Sequence, residues 1–518
     1  MKTFSKVSVI LASVVLVASV RATPQYQIYD VGILQTGDTA AQAFGISPGG
    51  VAVGRSLRTG ASQAFRWTLG GGLVALPNVA GRNYCVANGA NDNGTVVGTG
   101  ATALFGSGRL PVVWQNGVVS QLPLPSGQTL GDANSVNASG QAVGSVNSGS
   151  AQRGAFYSGG TGIVITHTTA NGSYFLTAFG INDAGRIVGQ GIDPNNAARN
   201  VGIVYDGATN STFEVGALPG FNGALAFAVG NTGFVTGSSM INQGSGLPFI
   251  WSVANAMVPI PLAAGTSQGS GRGVNSEGWV VGNDSGATSI PFLYDGTTTY
   301  RLQDLIPAGS GWDLSMNTSS SALGISDNRI ITGTGVFNGA THAYAMVPLL
   351  QPISAVSRLT HAGAGTFDID LPLTGTSGVE CRNGGGDYFI VVTFSNNLTS
   401  GSASVTSGAG TVAGSPTLSG STMTVHLTGV ANAQNVTVSL SVTDTYTQSL
   451  ADIPVTAGFL VGDTNGDRFV NGGDSIQTRN RAGQATNASN FRSDVNLDGF
   501  VNSGDSVVVR ARSGTALP

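Results

Sequence analysis

Residues Ala178–Gly189 read "AFGINDAGRIVG", and variants of this phrase return along the chain. The phrase is an apolar run, a turn of Asn, Asp and Gly, and an alternating run such as Arg186-Ile187-Val188. Asn and Gly tolerate positive φ and suit a tight hairpin, so the phrase predicts two short antiparallel strands. Its other copies are "AFGISPGGVAVG", "VANGANDNGTVVG", "ANSVNASGQAVG", "AFAVGNTGFVTG", "GRGVNSEGWVVG" and "ALGISDNRIITG". The closing glycines, Gly54, Gly98, Gly144, Gly189, Gly237, Gly282 and Gly333, are 44 to 51 residues apart.

A second phrase follows each first one: "AFRW", "PVVW", "AFYS", "GIVY", "PFIW", "PFLY" and "AYAM". Its second position is apolar throughout (Phe65, Val112, Phe156, Ile203, Phe249, Phe292, Tyr344), and its fourth is aromatic in Trp67, Trp114, Tyr205, Trp251 and Tyr294. A second turn comes next, clearest in "WQNGVVSQLPL" and "LYDGTTTYRL", so one unit holds four strands in about 45 residues, the size of a propeller blade. Seven units predict a seven-bladed β-propeller over residues 23–350. The seventh unit stops after "HAYAMVPLL" without a fourth strand, while "YQIYDVG" (Tyr26–Gly32) has no partner of its own. That N-terminal strand is expected to complete the last blade and leave no open edge. The two phrases resemble the HAF-type extracellular repeats of bacterial secreted proteins over about residues 26 to 347. Ser158 and Met346 depart at the aromatic position and Arg329 at the turn glycine. The resemblance carries no catalytic residue.

Composition agrees with many short strands: 41% of residues are hydrophobic, only 9% are charged, and glycine numbers 78 of 518. The start, with Lys2 and Lys6, an apolar stretch from Val7 to Val20 and then Arg21-Ala22, reads as a secretory signal peptide over residues 1–22. Losing Lys2, Lys6 and Arg21 takes the formal charge from −4 to −7, which argues against nucleic acid as a partner. The apolar stretch is shorter than the roughly 20 residues a bilayer requires, so no membrane span is expected in the mature chain, and a secreted monomer is the expectation. Cys85 and Cys381 are too few and too distant for a disulfide framework and read as buried apolar residues.

Catalysis has little to stand on in the repeats. His167 and His342 are their only histidines, the Asp residues sit mostly in turns where a carboxylate bonds nearby backbone amides, and no GxSxG or HExxH occurs. Trp67, Trp114, Trp251 and Trp279 read as packing residues. Trp312, out of register in "GSGWDLSMN", is the candidate for an exposed sugar contact.

From 351 to 459 the repeat gives way to alternating runs such as "DYFIVVTFSNNL", "TMTVHLTGV" and "QNVTVSLSVTD", which predict an immunoglobulin-like β-sandwich. His361 and His426 stand alone there and read as structural.

Residues 460–518 change character again. "DTNGDRFVNGGD" (Asp463–Asp474) and "DVNLDGFVNSGD" (Asp494–Asp505) put oxygen ligands at positions 1, 3, 5, 7, 9 and 12 of an EF-hand-like calcium loop. The predicted ligands are Asp463, Asn465, Asp467, the Phe469 carbonyl, Asn471 and Asp474, then Asp494, Asn496, Asp498, the Phe500 carbonyl, Asn502 and Asp505. Gly499 suits the sharp turn at position 6, whereas Arg468 must bear strain there, so two calcium ions are expected with the first site weaker. A short helical run follows each loop, with Arg479, Arg481 and Gly483 repeated at Arg510, Arg512 and Gly514. This arrangement resembles the type I dockerin module, which implies calcium and docking onto a cohesin-like or other surface protein. Positions 10 and 11, where that family often carries a Ser-Thr type pair, hold Gly472-Gly473 and Ser503-Gly504, which points away from a standard cellulosome partner.

The chain therefore reads as an all-β protein with a small α-helical calcium-loop tail. The favoured function is a secreted or cell-surface bacterial binding protein that is not an enzyme, with a glycan as a candidate ligand of the propeller. The alternative is a polysaccharide-degrading component carried by the same tail.

Overall fold

The structure is a computed structural model and describes residues 23–104, 106–149, 151–285, 289–315 and 320–518. The signal-peptide segment, 1–22, lies outside the described residues. The chain divides into two compact units, Gln25–Leu349 and Leu350–Pro518.

In the first unit each repeat is an antiparallel sheet. The fourth repeat runs Tyr174–Ile181, Ile187–Asp193, Asn196–Asp206 and Ser211–Glu214, paired in that order. Every first hairpin shifts register at the same place, between Ala43 and Gly45 in the first repeat and between Ala322 and Gly324 in the seventh. The closing glycine opposes that bulge. A Cβ on Gly54 would lie 2.0 Å from the Gln42 carbonyl oxygen and 2.8 Å from the Phe65 ring, and on Gly333 1.9 Å from the Ser321 oxygen and 2.6 Å from the Tyr344 hydroxyl. The seven glycines thus give room to a bulged backbone, and Gly54, Gly237, Gly282 and Gly333 also to the aromatic second residue of the following phrase.

The turns between the first two strands join neighbouring repeats. Asn91 Nδ2 donates to the Asn137 carbonyl, Asn137 to Asn182 and Asn182 to Gly230, at 2.9, 3.2 and 3.0 Å. Asp92 accepts from Gly49 N, Asp183 from Ala138 N and Asp327 from Ser276 N, each in the preceding repeat. The local role expected of these turn carboxylates holds for Asp206 and Asp295, which accept from amides two and three residues ahead. For Asp92, Asp183 and Asp327 the acceptor serves the neighbouring sheet instead, because the side chain leaves its own turn sideways.

The seventh repeat meets the first: Asp327 N donates to the Pro48 oxygen at 2.9 Å and Asn328 Nδ2 to the Gly49 oxygen at 3.3 Å. Its outer strand comes from the chain start, where Tyr26–Asp30 pairs antiparallel with Ala340–Pro348. Trp312 differs from expectation. It is buried, at 7% exposure, stacked on Phe337 with centroids 4.9 Å apart and edge-on to Tyr344. The two-residue strand Trp312–Asp313 pairs with Ile331–Phe337, as Ser321–Ile325 also does, so Trp312 belongs to the seventh sheet and its indole packs in the core beside it. Trp67, Trp114, Trp251 and Trp279 are buried as read.

The second unit begins with two facing sheets. One runs Gly365–Asp370, Pro352–His361, Tyr388–Phe394, Thr422–Thr428 and Thr411–Val412, with Thr417–Ser419 also on Thr422–Thr428. The other runs Val379–Glu380, Ser449–Phe459, Gln434–Asp444 and Leu398–Ser407, the first pair parallel. Alternate residues Tyr388, Ile390, Val392 and Phe394 meet Val436, Val438, Leu440 and Val442 in a shared core, as period-2 side chains require.

Helices α1 (Gly472–Asn480) and α2 (Ser503–Ala511) follow the two acidic loops. Gln484–Ala485, after α1, pairs with Phe500–Val501 of the second loop, while Ala516, after α2, bridges Phe469 of the first. The predicted border at 459/460 lies inside the second unit. Leu460, Val461, Val470, Val495, Val509 and Leu517 of the tail form one cluster with Val379 of the sheet. No helix among the described residues is long and apolar enough to cross a membrane.

Candidate metal centre

Each loop is locked to the helix after it. Asn471 Oδ1 accepts from Gly473 N at 2.6 Å and Asp474 accepts from Asn471 N at 2.9 Å, a reciprocal cap repeated by Asn502 with Gly504 and by Asp505 with Asn502. The same Asp474 and Asp505 reach back to the amides of Asn465 and Asn496, both at 3.1 Å. The twelfth residue of each loop therefore caps a helix and closes the loop.

Carboxylate oxygens of Asp463, Asp467 and Asp474 lie within 4.8 Å of one another, as do those of Asp494, Asp498 and Asp505. Asn465 and Asn471 converge on Asp467, and Asn496 and Asn502 on Asp498, with the Phe500 carbonyl 3.3 Å from Asn502 Nδ2. Asp463, Asp474, Asp494 and Asp505 are fully buried. Buried carboxylates so close together repel, and an all-oxygen donor set of this kind fits a hard divalent cation, calcium above all. All the side chains predicted as ligands are thus brought together.

The first carboxylates of the two loops differ. Asp463 accepts from the backbone amides of Gly466, Asp467 and Arg468, and burial pushes its pKa up. Asp494 accepts from the amides of Asp498 and Gly499 and also from Thr486 Oγ1 at 2.6 Å and His361 Nδ1 at 2.7 Å. Burial acts to raise the Asp494 pKa, but the His361 and Thr486 bonds outweigh it and hold the carboxyl below its ordinary value. Asp505, like Asp463, is pushed up by burial.

His361 ends the sheet strand Pro352–His361 and is fully buried. Arg382 Nη1 lies 3.4 Å from its Nε2; since an arginine only donates, Nε2 accepts and Nδ1 carries the proton toward Asp494. Arg382 is itself buried and bonds Glu380 through Nε at 2.8 Å and Nη2 at 2.7 Å. Its remaining donors reach the Phe367 and Ser357 carbonyls at 2.8 and 3.0 Å. A polar chain Glu380–Arg382–His361 therefore stands behind the second loop. Reading the sequence assigned His361 a structural part but missed its partner, 133 residues away with no motif between them.

Residues 461–512 match the Dockerin type I domain family. Dockerin domains bind calcium, and the two acidic clusters of this dockerin segment suit that ion. Comparison with curated proteins finds no match. Among solved structures the chain is similar to the extracellular domain of the one component system BT4673 from B. thetaiotaomicron, at 8% identity and a TM-score of 0.36. That alignment covers 71% of this chain and 45% of the other, so the match spans less than half of that chain's length.

Backbone strain in the dockerin segment is shared evenly between the loops. Loop one has Gly466 at φ +80° and Arg468 at +75°; loop two has Leu497 at +65° and Gly499 at +90°. Each loop holds one non-glycine residue in the left-handed region, at position 6 in one and position 4 in the other. The strain expected at Arg468 is present, but Leu497 carries its equal, so strain does not rank the two sites.

Proposed function

We propose that the protein is a secreted attachment protein in which the dockerin segment, loaded with two calcium ions, docks on a cohesin-type or similar surface partner. On this reading the seven repeats form a closed seven-bladed propeller that carries the ligand-binding part, and the two facing sheets form an immunoglobulin-like sandwich that bears the tail. The observation that carries the docking role is the pair of capped acidic loops inside a segment matching the dockerin family. Proteins bearing such domains are typically extracellular, and the match implies cohesin-type partners. Two exposed apolar side chains, Ile476 on α1 and Val507 on α2, occupy equivalent helix positions and offer the apolar contacts that docking requires. The second loop fills first on this reading, because His361 and Thr486 already hold Asp494 in place.

The test is capture of the full chain by an immobilised panel of cohesin domains in calcium and in chelator. Calcium-dependent capture that Val507→Asp and Ile476→Asp together abolish supports docking. Calcium uptake with no capture by any cohesin would replace the receptor class, and no calcium uptake would defeat the reading.

A further inference from the structure

All seven repeats contribute their first strands to one cavity, through Phe44, Asn88, Asn134, Phe179, Phe227, Arg272 and Leu323. Beside it opens a wider space of about 940 Å³ bounded by Gln42, Phe227 and Arg272. The rest of its wall is neutral and able to hydrogen-bond, with Ser238, Gln268, Ser270, Asn283, Ser285 and Ser321 among the groups present. No carboxylate lines this space among the described residues.

Arg272, at this cavity, and Arg55, which lines a separate pocket with Arg109 and Asp132, differ from the paired arginines of the repeats. Arg58, Arg109, Arg186, Arg199 and Arg329 each have a carboxylate partner. Arg272 has instead the Ser270 hydroxyl, 3.1 Å from its Nε, and the face of Phe227, 4.1 Å from the guanidinium carbon. Among the described residues its two terminal nitrogens have no hydrogen-bond partner. Arg55 gives both Nε and Nη2 to Gln42 Oε1 at 3.0 and 2.8 Å, and lies over Phe44 at 5.4 Å. Both side chains are half-buried, and burial lowers the pKa of each without a carboxylate to offset it. Burying a cation with only neutral partners is costly, and a guanidinium fork is the matching shape for a carboxylate.

The rest of the wall specifies more than an anion. Phe179 and Phe227 lie with centroids 5.2 Å apart and their rings tilted by 48°, an apolar pair suited to the C–H side of a sugar ring. Serine hydroxyls and side-chain amides around them suit a ligand with many hydroxyl groups. We infer that this cavity binds an acidic saccharide, its carboxylate on Arg272 and its ring against the Phe179–Phe227 pair. The inference rests on the reading of the repeats as the ligand-binding part and is separate from docking through the tail.

Calorimetry of the full chain with oligogalacturonate and with neutral cello-oligosaccharides tests it. The expected result is uptake of the uronide at least tenfold tighter than of the neutral oligomer, weakened by added salt. Arg272→Gln should reduce uronide affinity tenfold or more and Phe179→Ala less, while cohesin capture is unchanged. If Arg272→Gln does not fold, Arg272→Lys, which keeps the charge and loses the fork, should bind the uronide several-fold more weakly than the parent chain. Equal affinity for the neutral oligomer, no uptake at millimolar uronide, or unchanged affinity in a folded Arg272 variant would overturn the inference. Loss of cohesin capture with uronide binding intact would count against the docking reading alone.

Discussion

Loops Asp463–Asp474 and Asp494–Asp505 place the same ligand types at the same positions, yet the adjoining sheet meets them differently. At position 6 the first loop sends Arg468 out to Ser377 Oγ, at 3.2 Å, and to Asn435 Oδ1, at 3.4 Å. The second loop has no side chain there. Gly499 lies so close to the strand end that a Cβ would sit 1.9 Å from the Ala362 oxygen. At position 4 the pattern inverts: Gly466 leaves that position bare, whereas Leu497 packs against the core shared by the two sheets and its carbonyl accepts from Ala362 N at 2.9 Å. The first loop is tied to the sheet by a side-chain tether and the second by direct backbone contact. Two copies of one ligand pattern can therefore carry different structural loads, and the glycine at position 6 answers a packing demand as much as a conformational one.

The largest expected effect comes from emptying the second loop. Asp494→Ala with Asp498→Ala should abolish one of two calcium transitions in calorimetry and lower the stability of the Leu350–Pro518 unit by about 3–5 kcal/mol, since His361 loses its buried acceptor as well. The equivalent pair in loop one, Asp463→Ala with Asp467→Ala, should also remove one transition but cost less stability. Equal losses would erase the proposed difference. Next is Gly499→Ala, which forces a Cβ into the Ala362 carbonyl at positive φ and should cost about 3 kcal/mol in denaturant unfolding. Arg468→Ala, trimming only a partly exposed tether, should cost about 1 kcal/mol.

His361→Ala should destabilise the same unit by about 2 kcal/mol, because Arg382 and Asp494 each lose a buried partner, and should weaken calcium at the second loop while sparing the first. Smaller still is a pH effect in calcium-free protein. The folded pKa of Asp494 is depressed, so its stabilising contribution is complete above the unfolded value of about 3.9 and is lost as pH falls through the folded one. Asp463 has a raised folded pKa, so stability declines as pH rises from about 3.9 through that value. Asp494→Asn should flatten the acid limb of the stability curve and Asp463→Asn the limb above it. Smallest is Arg468→Gly, where relief of about 1 kcal/mol of strain is offset by the lost tether, leaving the melting temperature nearly unchanged.

The repeats were legible because the residues that define them answer local demands. The bulge glycine and the apolar residue of the third strand recur in each copy, so period and strand number follow from the sequence itself. The two acidic clusters were legible for the same reason, since a twelve-residue loop carries its whole donor set. What stayed hidden depends on contacts between distant segments. Trp312 read as exposed because it breaks the register, yet its partners Phe337 and Tyr344 come from the strands it covers. His361 and Leu497 gave no signal at all, because nothing near either residue names the opposite side of the junction.

The outer strand of the seventh sheet has a consequence for the way the first unit is made. Tyr26 pairs with Pro348 and Asp30 with Tyr344, so the earliest described strand must wait for nearly the whole unit to emerge before it finds its partner. Each repeat can gather its own hairpins promptly, while the ends join last across the greatest separation in sequence, a late and slow step by the cost of closing long loops. Until then an apolar strand and an unpaired edge are both in the open, and a partly folded chain presents them to its neighbours. The yield of folded protein should therefore be sensitive to Tyr26 and Ile28, the two side chains that this strand buries.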